Sequence, residues 1–384
     1  MAERTPRLET QLVHAGEPLP RIAGAVEMPI FQSATYTYAG EKRYDDVRYL
    51  RSNNTPSQLA LHAKLAALEG AEAALVSASG MASISATLLG LLCAGDHVLA
   101  QRCLYGGTYE LLTEEFPKAG LAASFIDATD PRGWAAQLRP TTRAVYVEAM
   151  TNPLLEVADL RAVVAFAREH RLLSIIDNTF ATPVNFRPIA AGFDLCLHSA
   201  TKYLNGHSDI VAGAVAGGGE LIERIRHKAN ILGGALDAHA AFLFKRGLKT
   251  LALRVRFQNE STLKLARFLA AEPRVRQVHY PGLESHPQHA RARELFAGCG
   301  GVLSFELHGG VAAAEDFAAR VRIPAVAPSL GGVHTLLTRP ATTSHAGLSA
   351  EQRRALGISD GLLRLSVGIE ATEDLAEDFA QALR

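Results

Sequence analysis

Cysteine is scarce in this chain of 384 residues. Its four thiols, Cys93, Cys103, Cys196 and Cys299, are scattered and form no CxxC pair. That excludes a disulfide framework, offers no metal-ligand pattern, and implies small buried or half-buried thiols in a reducing compartment. Neither sign of charge is in excess. Lys plus Arg and Asp plus Glu both number 39, so no global bias points to nucleic acid or an anionic membrane as partner. Long apolar runs are also missing. The one uncharged run, residues 73–95, is interrupted by glycine and rich in Ser and Thr. It reads as a buried strand (73–77) entering a helix (81–92), not as a bilayer span. The start, Met1-Ala2-Glu3-Arg4-Thr5, has no apolar stretch behind its charges, so no secretory leader is expected and the cytoplasm is the expected compartment.

What is present is an ordinary globular composition, 48% hydrophobic and 20% charged, in a chain long enough for a large domain and a smaller one. Strand-like runs at 73–77, 97–100, 123–126, 144–148, 172–177, 195–199 and 211–216 alternate with helix-like runs such as 160–170, where Leu160, Val163, Val164 and Ala167 share a face. This alternation predicts a mainly parallel sheet wrapped by helices. After Gly233-Gly234 the pattern changes to a long helical spine over 235–271, broken near Gly247. Shorter strands (275–280, 301–307, 363–368) and helices (313–321, 372–383) then predict a smaller α+β domain. The expected division is an N-terminal arm with an intersubunit loop (1–60), a large domain (61–250) and a smaller C-terminal domain (251–384). Residues 28–38, apolar and aromatic without amphipathic periodicity, read as an extended arm packed on another surface. They precede a polar loop, Tyr49 to Pro56, that leads into a helix over 57–69.

Two strand ends carry chemistry. One apolar run ends in Asp177 and another leads through Ser199-Ala200-Thr201 to Lys202, so an acid and a lysine emerge at the carboxyl edge of one sheet, where open α/β sheets place their ligands. A lysine among Ser, Ala, Thr and Tyr is poorly placed as a solvated charge. Desolvation lowers its pKa and favours the free amine that a Schiff base requires. An acid close by suits a protonated pyridine nitrogen, and together they suggest pyridoxal 5′-phosphate. The same two residues are equally compatible with a buried ion pair. A third feature is Ser79-Gly80-Met81, a turn between strand and helix that exposes free N–H groups to an anion such as a phosphate. Ser199 and Thr201 could add hydroxyl donors to that phosphate.

The stretches Ser79-Gly80-Met81, Tyr105-Gly106-Gly107-Thr108, Thr151-Asn152-Pro153, Asp177-Asn178-Thr179-Phe180, Ser199-Ala200-Thr201-Lys202-Tyr203, Ser329-Leu330-Gly331-Gly332 and Leu363-Arg364-Leu365-Ser366 resemble the cystathionine γ-synthase, cystathionine γ-lyase and methionine γ-lyase family of pyridoxal-phosphate enzymes. The resemblance implies the aspartate-aminotransferase-type fold (fold type I, a large domain with a mainly parallel seven-stranded sheet and a smaller C-terminal α+β domain) and a homotetramer, a dimer of dimers with shared active sites. It also implies roles. Lys202 would link the cofactor and later shuttle protons, Asp177 would face the ring nitrogen, Tyr105 would stack on the ring and Asn152 would lie near the ring hydroxyl. Ser79, Gly80, Met81, Ser199 and Thr201 would hold the phosphate, with Tyr49 and Arg51 reaching it from the neighbouring subunit. Arg364 would take the substrate carboxylate, with Ser329 and Asn152 beside it. Two departures stand out: Asn53-Asn54-Thr55-Pro56 follows Arg51 where the family continues Asn-Pro-Thr, and His334 stands where many members carry a glutamate, near the distal end of the substrate. The implied activity is γ-elimination from cystathionine, methionine or homocysteine, with γ-replacement on an activated homoserine as the alternative.

Overall fold

The structure, a computed structural model, describes residues 6–384. The charged start on which the leader reading turned, Met1–Thr5, lies outside the described residues. Seven strands, β1 (Ala73–Ser77), β2 (His97–Gln101), β3 (Ala122–Ile126), β4 (Thr142–Glu148), β5 (Leu173–Asp177), β6 (Leu195–Ser199) and β7 (Gly213–Gly217), form one sheet in the order β1-β7-β6-β5-β4-β2-β3. Only β7 runs against its neighbours; the pairs from β6 to β3 are parallel. The expected strands therefore coincide with the observed ones to within two residues. Successive residues feed opposite sides of this sheet. Val98, Ala100, Ala144 and Tyr146 pack toward the helices Gly80–Leu91 and Gly219–Leu232, while Leu99, Val145 and Val147 pack toward the helix Leu160–His170. Both faces being covered, the inner strands are apolar almost throughout. The parallel strands consequently end together, at Ser77, Glu148, Asp177 and Ser199.

The spine is two helices, Ala238–Leu248 and Leu251–Ala271. The break falls at Lys249-Thr250, after Gly247 and not at it. Gly247 stays helical because its missing side chain is needed for packing: a Cβ there would lie 2.2 Å from the carbonyl oxygen of Asn205. Beyond the spine a second sheet, β8 (Val275–His279), β9 (Val302–Leu307), β10 (Ala325–Val326), β11 (Leu336–Thr338) and β12 (Leu363–Ser366), has the order β10-β11-β12-β9-β8. Phe305, Phe317 and Phe379 form its core, the first pair meeting edge to face at 5.5 Å. The short strands β10 and β11 carry no periodicity that sequence reading could detect.

The polar loop reaches its helix, Pro56–Glu69, through a capping box in which the Thr55 side chain meets the Gln58 main chain and the Gln58 side chain meets that of Thr55, with proline in the first turn. Asn53 takes a left-handed conformation, φ +54. The Asn54 amide group then pins the loop, accepting from Tyr49 N at 2.9 Å and donating to the carbonyls of Asp45 (3.2 Å) and Val47 (2.9 Å). These bonds explain how the altered sequel to Arg51 still makes a defined turn. Among the thiols, Cys93 is exposed, contrary to expectation, because it follows the helix Gly80–Leu91 in a surface turn. Cys196 sits with Glu69 and His198 in a buried group. The Glu69 Oε1 to His198 Nε2 separation of 2.7 Å is that of a hydrogen bond, shorter than the ~3.3 Å between two ligands on a tetrahedral zinc ion. Among the described residues no helix is long and apolar enough to cross a membrane.

Candidate active site

A cavity of about 540 Å³ opens where β4, β5 and β6 end and where β12 of the second sheet faces them. Lys202 enters it from the turn after β6 and donates a 2.7 Å hydrogen bond to Ser329 Oγ. Burial, assisted by the positive charge of Arg364, pulls the Lys202 ammonium down to about 8, so a substantial fraction is neutral amine near pH 7.5. Asp177 lines the same cavity from the end of β5. Burial raises its pKa, opposed by hydrogen bonds from Thr179, whose N–H reaches Asp177 Oδ1 at 2.9 Å, and by the charge of His198.

The helix Gly80–Leu91 begins at the cavity wall. Ser79 caps it, its Oγ accepting from Ala82 N at 3.0 Å, which leaves the N–H groups of Gly80 and Met81 without helical partners. Ser199 lies against this turn, so that a Cβ on Gly80 would come within 2.9 Å of the Ser199 Cβ. The small residue thus leaves room for the Ser199 hydroxyl beside two free N–H donors, at the positive end of a helix. The Thr201 hydroxyl is engaged within the chain, donating to Ala212 O (3.2 Å) and accepting from Ala212 N (3.0 Å).

Arg364 approaches from β12. It is 3% exposed; its Nη1 donates to Asn152 Oδ1 (2.9 Å) and its Nη2 to the Ser329 carbonyl (2.8 Å), while its Nε is buried with no protein partner. Burial depresses its pKa from 12.5 to about 10. Ser329, which meets both Lys202 and Arg364, holds φ +86. A serine in that region is strained, and such strain is sustained where the surroundings over-determine the backbone.

A profile of the "Cys/Met metabolism PLP-dependent enzyme" family matches residues 9–384. The chain belongs to that family. It is 41% identical over 377 residues, 98% of each chain, to the cystathionine beta-lyase of Lactococcus lactis subsp. cremoris. It is 40% identical over 395 residues, all of this chain and 98% of the other, to the L-methionine gamma-lyase of Pseudomonas putida. A solved structure, the cystathionine gamma synthase of Xanthomonas oryzae pv. oryzae in complex with aminoacrylate and cysteine, superposes with a TM-score of 0.95 at 39% identity, covering 99% of this chain and 98% of that one. The chain is accordingly a fold type I, pyridoxal-phosphate-dependent lyase or transferase of cysteine and methionine metabolism.

The residues present fit that cofactor. The desolvated amine of Lys202 suits the aldehyde, the free N–H groups at Gly80 and Met81 suit the phosphate, and Asp177, a desolvated acid at the cavity wall, suits a protonated ring nitrogen. Of the residues expected at the site, Ser79, Gly80, Met81, Tyr105, Asn152, Asp177, Ser199, Thr201, Lys202, Ser329 and Arg364 line one cavity. Tyr49, Arg51 and His334 do not line it. The Arg51 guanidinium turns to the Asn230 carbonyl (2.8 Å) and the Tyr44 hydroxyl (2.9 Å) of its own chain. His334 is exposed, since the turn at Gly331-Gly332 is tied back through Val333 N to Gly206 O at 2.9 Å. Sequence reading missed Glu148, Val211, Thr343 and Ser344, which also line the cavity. Glu148 had a signal: its strand, like that of Asp177, is an apolar run that ends in an acid.

Proposed function

We propose that this protein is a carbon–sulfur lyase that removes the γ-sulfur substituent from cystathionine, methionine or homocysteine, releasing a 2-oxo acid, ammonia and a thiol. The observation that carries the reading is the joining of a desolvated lysine to a buried arginine through one residue, Ser329. When bound, the cofactor supplies the electron sink for the bond-breaking steps. Arg364, fixed by Asn152 and Ser329, offers a guanidinium to the substrate carboxylate and so orients the Cα–H bond toward Lys202 Nζ. Lys202, with its amine partly neutral near pH 7.5, takes that proton and carries protons between neighbouring carbons. Tyr105, 46% exposed, presents its ring to the cavity as a stacking surface.

Ser79, Gly80, Met81 and Ser199 hold the phosphate in this proposal. Thr201 shapes that pocket with its backbone, its hydroxyl being spent on Ala212. Tyr49 and Arg51 serve the cleft of a neighbouring subunit in a homotetramer built of dimers, in the cytoplasm. His334, exposed on this chain, is not part of the substrate pocket as we propose it.

Two other readings have a specific observation behind them. The likeness to a beta-lyase favours β-cleavage of cystathionine, and the likeness to a gamma synthase favours γ-replacement on an activated homoserine. One panel separates all three. Purified enzyme is given cystathionine, methionine, homocysteine and O-acyl-homoserine with cysteine, and products are followed by mass. The γ-elimination reading expects 2-oxobutyrate from the first three. Pyruvate with homocysteine from cystathionine would replace it by β-cleavage, and new thioether without 2-oxo acid would replace it by γ-replacement.

A further inference from the structure

Glu148 and Asp177 stand directly opposite each other on neighbouring parallel strands, paired in the register of β4 and β5. Registered side chains on strands about 5 Å apart share a face, and both line the cavity. Two carboxyl groups so placed each disfavour the ionisation of the other. The surroundings decide which one keeps the proton. Asp177 receives the Thr179 N–H and the field of His198. Glu148 is 5% exposed and receives one main-chain N–H, that of Tyr105, at 2.7 Å. Burial and then the neighbouring Asp177 push Glu148 well up. The other titratable groups facing the pair include Tyr146 on β4, Cys103 on the loop after β2 and Cys196 on β6, and burial keeps all three neutral by raising their pKa.

The bond from Tyr105 has a second consequence. Tyr105 is the residue just before the short helix Gly106–Glu110 and has no helical partner for its own N–H. Its ring folds back over Gly107, where a Cβ would lie 2.9 Å from the ring and 3.1 Å from Met81 Sδ. The position of the ring therefore depends on where the Tyr105 main chain is tied, and it is tied to Glu148. Glu148 is itself held, its N–H donating to Gln101 Oε1 at 2.9 Å.

We propose that Glu148 is a positioning residue of this enzyme, acting as the neutral acid of the Glu148–Asp177 pair: it leaves the negative charge on Asp177 and anchors the main chain of Tyr105, setting the tilt of the ring over the cofactor. The proposal rests on the functional reading above.

The test compares holoenzyme variants Glu148→Gln, Glu148→Asp and Glu148→Ala. The readouts are the visible circular dichroism of the bound cofactor, which reports its seating without any substrate, and kcat and KM on whichever sulfur amino acid the parent turns over. A neutral amide keeps both the acceptor oxygen and the absence of charge, so Glu148→Gln is expected to hold the parent dichroism and kcat within about 3-fold. Glu148→Ala frees Tyr105 and is expected to lose dichroism and to lower kcat on the order of 100-fold, the usual cost of a misplacement near 1 Å, with KM changed less. Glu148→Asp, one methylene too short to reach the Tyr105 N–H, is expected to fall with alanine. Should Glu148→Ala not fold, the ranking of Gln above Asp carries the test. Asp equal to or better than Gln, or an alanine variant with unaltered dichroism and kcat, overturns the proposal. If the parent turns over nothing in the panel, the functional reading fails while the dichroism still decides the role of Glu148.

Discussion

Lys202 offers a quantitative test of the cleft before any catalysis takes place. An ordinary lysine near 10.5 is about one part in a thousand free amine at pH 7.5, whereas one drawn down to about 8 is about one quarter free. The ratio is roughly 240, and it should appear as a faster covalent capture of pyridoxal phosphate by apoenzyme. The assay mixes apoenzyme with a small excess of cofactor between pH 6 and 10, follows the visible band, and quenches with borohydride to count linked lysines. Dividing each rate by the rate of N-acetyl-lysine per unit of its free amine, measured under the same conditions, removes the titration of the aldehyde itself. The sign follows from the direction of the shift: a lowered pKa makes capture rise with pH through a midpoint near 8 and level off above it, where a solvated lysine would still be climbing. Burial is the larger cause and Arg364 the smaller, so Arg364→Met should move the midpoint up while leaving it below 10.5. A rate still rising steeply at pH 10 in the parent, or a linked residue other than Lys202, refutes the assignment of the cleft's central residue.

Asp177→Asn is expected to retain cofactor poorly and to lower kcat on the order of 100-fold or more, because a neutral amide cannot hold the ring nitrogen protonated; near-parent kinetics would mean that another group faces that nitrogen. Arg51→Ala and Lys202→Ala, each inactive alone, are expected to regain activity when unfolded and refolded together, approaching about a quarter of parent sites, since half the dimers are mixed and each mixed dimer has one intact site. Mixed oligomers that form and stay inactive would place Arg51 outside the neighbour's cleft.

What could be read ahead of the structure was whatever repeats locally. Strands such as β4 and β5 are apolar runs closed by a polar residue, and the helix over Leu160–His170 shows its buried face at a spacing of three and four. The lysine and the acid of the cleft were legible for the same reason, each marking the end of such a run. What stayed hidden depends on chain segments far apart. Nothing in the Glu148 stretch alone reveals that its partner in register is Asp177. Thr343 and Ser344 come to the cleft only because the second sheet docks there. The break expected near Gly247 falls at Lys249-Thr250, because the missing side chain of Gly247 serves the approach of Asn205 from within the helix. Tyr49, Arg51 and His334 were expected from the resemblance, and a single chain does not bring them to its own cavity.

The two walls of the cleft come from different stretches of chain. Asp177, Lys202 and the Ser79-Gly80-Met81 turn belong to the large sheet and its loops, whereas Ser329, Thr343, Ser344 and Arg364 belong to the second sheet and its loops. A mutation in the second wall can alter what reaches the reactive carbon while the grip on the cofactor stays as it was. Divergence within such a lineage can therefore proceed on one wall at a time, with each intermediate still a loaded enzyme. Exchanging residues 328–348 with those of a relative such as the beta-lyase or the methionine gamma-lyase, 41% and 40% identical to this chain, tests whether the second wall can change while the first is kept.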